Sequence, residues 1–104
     1  MNNDWIDIKI KMPECIHENL AEDRKDYMYD SYDSEPVLIR ITDECKRKLF
    51  DVKKSNFTVA YLSYYPNIRK EYPDAHEYIF WEDSKVIDSE ILPEDVVEWM
   101  YLSV

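Results

Sequence analysis

The sequence predicts an α+β protein: a small, antiparallel β-rich single domain with one or two short helices. Three observations carry that expectation. Five segments of strand length are rich in β-branched and aromatic residues, Pro13, Pro36, Pro66 and Pro73 stand between them, and a 45% hydrophobic, 14% aromatic composition over 104 residues supplies one core. A chain of this size buries roughly 65% of the surface it would expose unfolded, so residues 1–104 are read as one domain.

The elements follow in order. Ile6, Ile8 and Ile10 alternate with Asp7, Lys9 and Lys11, the two-residue period of a half-buried strand, and Pro13 ends it. Cys15 to Lys25 carries Ile16, Leu20 and Ala21 at helical spacing. Val37 to Thr42 is a β-branched strand bounded by Pro36 and by Asp43-Glu44, and Asp43 to Val52 makes a short helix with Leu49 and Phe50 inward. Phe57 to Tyr65, stopped by Pro66-Asn67, reads as the central strand. Glu77 to Trp81 gives another, with Lys85-Val86-Ile87 returning across Glu82-Asp83-Ser84. For residues 94–102 two readings stand: Pro93-Glu94-Asp95 suits a helix first turn, whereas Val96-Val97 suits a strand. The expected core is Trp5, Ile8, Val37, Ile39, Val59, Tyr61, Ile79 and Trp99. With no glycine in the chain, tight primed hairpin turns are disfavoured and longer connections are expected.

Charge narrows the function classes. The chain holds 23 acids against 13 bases, net −10. Residues 1–34 carry nine acids and four bases, 35–70 four and eight, and 71–104 ten and one, so a basic middle lies between acidic ends. A nucleic-acid binder needs many phosphate-neutralising Lys and Arg, and a chain at −10 is repelled by phosphate at long range. The same charge speeds approach to a basic protein surface, although it also serves solubility alone. No apolar run reaches the ~18 residues of a membrane span, and the N-terminal residues lack a signal-peptide pattern. The expected location is the cytoplasm, with no membrane partner and with Cys15 and Cys45 as free thiols.

Candidate chemistry is thin. Cys15, His17, Cys45 and His76 are four possible zinc ligands, but structural sites present close pairs such as C-x2-4-C, and only Cys15-x-His17 is close. The same spacing disfavours a Cys-His nucleophile, and acid pairs such as Glu82-Asp83 and Glu94-Asp95 are ordinary in so acidic a chain. The expectation is a non-enzyme with no metal, no cofactor and no catalytic residue.

The most unusual tract is 26–35, read as an acidic, tyrosine-rich loop within the domain. Asp26, Tyr27, Tyr29, Asp30, Tyr32 and Asp33 combine large aromatic contact area with carboxylates that pair with Arg or Lys, the composition of a partner-binding surface. The plainer reading is a surface loop or edge strand whose tyrosines pack back on the domain. A rival site draws on the basic middle: Arg40, Lys46 and Arg69 with Tyr61 and Tyr64 could hold the phosphates and base of a nucleotide.

Trp5-Ile6-Asp7-Ile8 with Met12-Pro13-Glu14 is similar to a W-I-x-(V/I) … L-P-E opening, Pro36-Val37-Leu38-Ile39 to a V-L-V strand, Val59-Ala60-Tyr61 to an I-A-Y strand, and Val97-Glu98-Trp99-Met100-Tyr101-Leu102 to a closing T-H-W-M-P-L-P. In these segments the chain resembles domain-of-unknown-function family 551, small proteins of phages and prophages. Glu98 and Tyr101 depart from that pattern. The resemblance implies a compact β-rich fold and a mobile-element setting, and no activity. Joined to the acidity, it suggests a phage- or prophage-encoded binding protein, an anti-CRISPR-like nucleic-acid mimic, that inhibits a host defence protein by occupying its basic, nucleic-acid-facing surface in the bacterial cytoplasm. The alternative is a module that sequesters a nucleotide-type signalling molecule.

Overall fold

The computed structural model describes residues 4–20, 29–49, 55–83 and 90–102. Its strands are β1 (Ile6–Asp7), β2 (Cys15–Asn19), β3 (Ser31–Ser34), β4 (Val37–Ile41), β5 (Phe57–Tyr64), β6 (Tyr78–Glu82) and β7 (Val96–Tyr101), with a helix α1 (Asp43–Lys48) and 3₁₀ turns at Ile68–Lys70 and Pro93–Asp95. All pairings are antiparallel, as expected for a β-rich domain. The helical part, among the described residues, is one six-residue α-helix. No helix among them is long and apolar enough to cross a membrane.

β3 and β4 lie along one edge of β5. The first half of β5 pairs with β4, Arg40 opposite Phe57 and Val37 opposite Ala60; the second half pairs with β3, Asp33 opposite Ser63 and Tyr32 opposite Tyr64. Between Asp33 and Val37 the chain advances four residues while β5 goes back three, from Ser63 to Ala60, so one extra residue is accommodated as a bulge around Glu35-Pro36. Proline favours this break because it has no N–H to give to a ladder. On the outer side β4 pairs with β7, and β3 pairs with β2. β6 covers the other edge of β5, and β1 extends the sheet beyond β7.

At the bulge, side chains replace the missing ladder bonds. The Leu62 N–H donates to Ser34 Oγ at 2.9 Å, and the Leu62 carbonyl accepts from Cys15 Sγ at 3.4 Å. A residue in mid-sheet therefore keeps both backbone groups satisfied, the condition for burying it.

The core lies on one face. Val37, Ile39 and Ile41 of β4, Ala60 and Leu62 of β5, Phe80 of β6 and Val96 and Trp99 of β7 pack with Cys45 and Leu49 from α1 and its end, and with Ile91. α1 begins where Thr42 Oγ1 accepts from the Cys45 N–H, an N-cap followed by Asp43 and Glu44 in the first turn, where their charge suits the helix dipole. Asn56 Nδ2 donates to both Ile41 O and Asp43 Oδ1, tying the start of β5 to the end of β4.

Several expectations are corrected. Cys15 to Asn19 is a strand, not the start of a helix: pairing with β3 satisfies its backbone, and Ile16, which set the helical spacing, is 60% exposed. The first strand stops at Asp7; the chain then turns, and Ile10 projects outward. On β5 the buried side chains are Thr58, Ala60 and Leu62 on the core face and Ser63 on the other, where Val59 and Tyr61 sit half-buried. Apolar residues occupy both faces of that strand, so composition alone could not tell which parity meets Phe80 and Trp99. Trp5 and Ile8 are likewise half-buried, while Val37, Ile39, Ile79 and Trp99 are buried as expected. In the closing segment both readings apply in succession, a 3₁₀ turn over Pro93–Asp95 and then strand β7. The tract read as a loop over 26–35 contains β3, which lies between β2 and β5. Phe50 and the return segment Lys85-Val86-Ile87 lie outside the described residues.

Candidate functional site

Register builds an aromatic row at one end of the sheet. Tyr32 of β3 is opposite Tyr64 of β5, which is opposite Tyr78 of β6, so three tyrosines on neighbouring strands share a face. Tyr64 and Tyr78 stack with centroids 4.7 Å apart and planes 15° apart; Tyr32 and Tyr64 are 6.4 Å apart. The connection after β5 adds to this end. Its 3₁₀ turn at Ile68–Lys70 leads to Tyr72, which meets Tyr29 edge-on at 6.3 Å, while the Tyr29 hydroxyl donates to Glu71 at 2.7 Å. Tyr65 accepts a hydrogen bond from the Trp81 indole at 3.3 Å. Exposed Glu71 and Asp74 lie in the same connection.

The surroundings of Tyr29 and Tyr78 hold those two phenols neutral. The hydrogen bond to Glu71 pushes Tyr29 well above the usual tyrosine value, since ionising it would set two negative charges together, and partial burial and Tyr72 add to the shift. Burial, then neighbouring Tyr64, raises Tyr78. The basic residues of the connection are partly neutralised: Arg69 lies 3.6 Å from Glu77 and donates through Nε to the Ala75 carbonyl.

The partner-binding set thus divides. Tyr29 and Tyr32 join the aromatic end. Asp33 is half-buried and serves the fold, accepting from Ser63 Oγ at 2.6 Å and from Asn19 Nδ2 at 2.9 Å. Asp30 is half-buried and engaged within the chain. Asp26 and Tyr27 lie outside the described residues. Sequence reasoning passed over Glu71 and Tyr78. Tyr78 begins a recognisable strand, but its place beside Tyr64 depends on a register that only pairing sets.

The rival set is not gathered. Arg40 lies opposite Phe57 at the start of β5 and donates to Glu98 at 2.8 Å, whereas Arg69 follows the other end of β5, about 23 Å away at ~3.3 Å per residue. Tyr61 and Tyr64, three apart on one strand, face opposite sides, and Lys46 is on α1.

Two further constellations are informative. Ser63, Asp33 and His17 form a row across three strands, yet buried Ser63 donates straight to Asp33, and His17 Nε2 is bonded to Glu35 at 2.7 Å. The imidazole is therefore not placed to take a proton from the serine, the contact a triad requires. Of the four soft ligands, Cys15 and His17 are on β2, Cys45 is on α1 and His76 is in the connection before β6. Among the described residues no group of three or more His, Cys, Asp or Glu is arranged to hold a metal.

Burial pushes both thiols up to about 11, helped at Cys15 by Asp33 and at Cys45 by Asp95. Both are free. The folded protein should therefore react slowly with iodoacetamide at neutral pH, and both cysteines should react promptly in denaturant. The ordinary value is 9.0, so the unfolded chain ionises first, and the thiols' contribution to stability falls as pH rises from about 9 to about 11. Rapid labelling of folded protein at neutral pH would contradict the burial.

Comparison of the chain with protein-family models, with curated proteins and with solved structures finds no match.

Proposed function

We propose that this chain is an acidic protein-binding module whose tyrosine- and carboxylate-bearing sheet end docks on a basic surface of a partner protein. The observation that carries the reading is that two tyrosine groups, Tyr32–Tyr64–Tyr78 across the strands and Tyr29–Tyr72 with Glu71, lie at the Tyr64 end of β5 and in the connection that follows it, which also carries exposed Asp74. Tyrosine is enriched in interface anchors because a large, rigid, amphipathic ring loses little entropy on docking, and carboxylates beside it select Arg and Lys. The net charge of −10 adds long-range attraction to such a partner. In its fuller form the reading is a phage- or prophage-encoded inhibitor that occupies the nucleic-acid-facing surface of a host defence protein; the acidity and the resemblance to family 551 support that extension.

Nucleotide sequestration draws less support. Its bases are dispersed and largely ion-paired, and two clefts formed by described residues, about 90 and 160 Å³, fall below the ~300 Å³ at which small-molecule pockets begin.

The test compares capture of binding proteins from bacterial lysate by the parent, by Glu71→Lys/Asp74→Lys and by Arg40→Ala/Lys46→Ala. The first variant should lose at least about tenfold in affinity for the captured protein, since like charges set against each other cost several kcal/mol, and added salt should weaken the parent. The second variant should bind as the parent does. The reverse pattern would favour the sequestering model.

A further inference from the structure

We infer that the gap where the β3–β4 line changes partner is a socket for one arginine side chain of the basic partner; the partner's charge rests on the function proposed above, the socket's chemistry does not. β7 pairs with β4 up to Tyr101 opposite Val37, and β2 starts on β3 with Cys15 opposite Ser34. The two strands lie end to end along the same line, and the bulge at Glu35-Pro36 leaves a break between them.

That break is a cleft of about 90 Å³. Pro13, Ile16, Val37 and Tyr101 supply its apolar lining, and Glu14, Ser34 and Glu35 complete it. Its size decides between occupants, because it is several times smaller than the ~300–1,000 Å³ that hold cofactors and suits one side chain. Ile16, 60% exposed, and Tyr101, 56% exposed, present their sides to an incoming group, while buried Pro13 and Val37 form the floor. A long apolar stem ending in a cation fits apolar walls with a carboxylate rim. Arginine fits better than lysine because its planar head stacks on an aromatic face such as Tyr101 while its fork of donors reaches carboxylates. Those carboxylates retain accepting capacity. Glu14 has Lys11 at 3.9 Å, and Glu35 accepts one bond from His17, whereas a carboxylate offers about four lone-pair sites.

The probe is a blocked pentapeptide with one arginine between glycine and serine residues, titrated into the isotopically labelled full chain and followed by amide chemical shifts. Shifts should centre on Ile16, Glu35, Val37 and Tyr101 and saturate. The same peptide carrying citrulline, of equal shape without charge, should give none. Glu14→Gln/Glu35→Gln should weaken binding by about fivefold, the scale of exposed charge pairs. No shift, equal shifts with citrulline, or shifts centred on Glu71 and Asp74 would each overturn the socket. Because the probe replaces the partner, these outcomes are independent of the lysate experiment, which can fail while the socket stands.

Discussion

Replacing Trp99 by Ala should lower stability by about 3–5 kcal/mol, the range for deleting a large buried aromatic. Trp99 is fully buried, lies opposite Ile39 on one side and Ile6 on the other, and meets Tyr101 edge-on at 4.9 Å. Its indole N–H donates to the Lys11 carbonyl at 2.8 Å, so the same side chain fills the core and fastens the N-terminal turn. A domain of this kind is stable by only about 5–15 kcal/mol, and the loss would be a large fraction of that. Urea denaturation measures it. Trp5→Ala should cost clearly less, because Trp5 is half-buried, 5.6 Å from the exposed ring of Phe57. If the Trp99 variant unfolds at the parent's midpoint, the placement of this ring at the centre of the core is wrong.

Asp33→Ala should cost about 2–3 kcal/mol, far more than a surface carboxylate. Its two oxygens accept from Ser63 Oγ and Asn19 Nδ2, and hydrogen bonds to a charged group are worth about 1.5–3 kcal/mol each. Ser63 is 2% exposed, so removing its acceptor strands a buried hydroxyl. Asp74→Ala serves as the contrast, with an expected change within about 0.5 kcal/mol. From sequence, Asp33 reads as one more member of an acidic, partner-binding surface tract. Equal denaturation midpoints for the two variants would restore that reading.

The difference between these two aspartates marks where sequence reasoning stops. In the tract Tyr29-Asp30-Ser31-Tyr32-Asp33-Ser34, composition identifies an aromatic, acidic segment, and two of its tyrosines do join a carboxylate-bearing end. Which aspartate faces a serine 30 residues further along the chain depends on β3 pairing with β5 at one register, and a slip of one residue would exchange the faces.

The features legible before folding are those that arise from neighbours along the chain. Val37–Ile41, Phe57–Tyr64 and Tyr78–Glu82 are strands because β-branched and aromatic runs fit a pleated backbone, α1 starts at Thr42 because a hydroxyl there can cap the helix, and the prolines and the net charge of −10 need no partner to act. Long-range packing sets the rest: Cys15–Asn19 is a strand, Leu62 rather than Tyr61 faces the core, Tyr64 stacks on Tyr78, and a bulge opens a cleft between the ends of β7 and β2. Each of these depends on groups far apart in the chain satisfying one another's hydrogen bonds and filling one another's space, a condition absent from local propensity and present only once the sheet has closed.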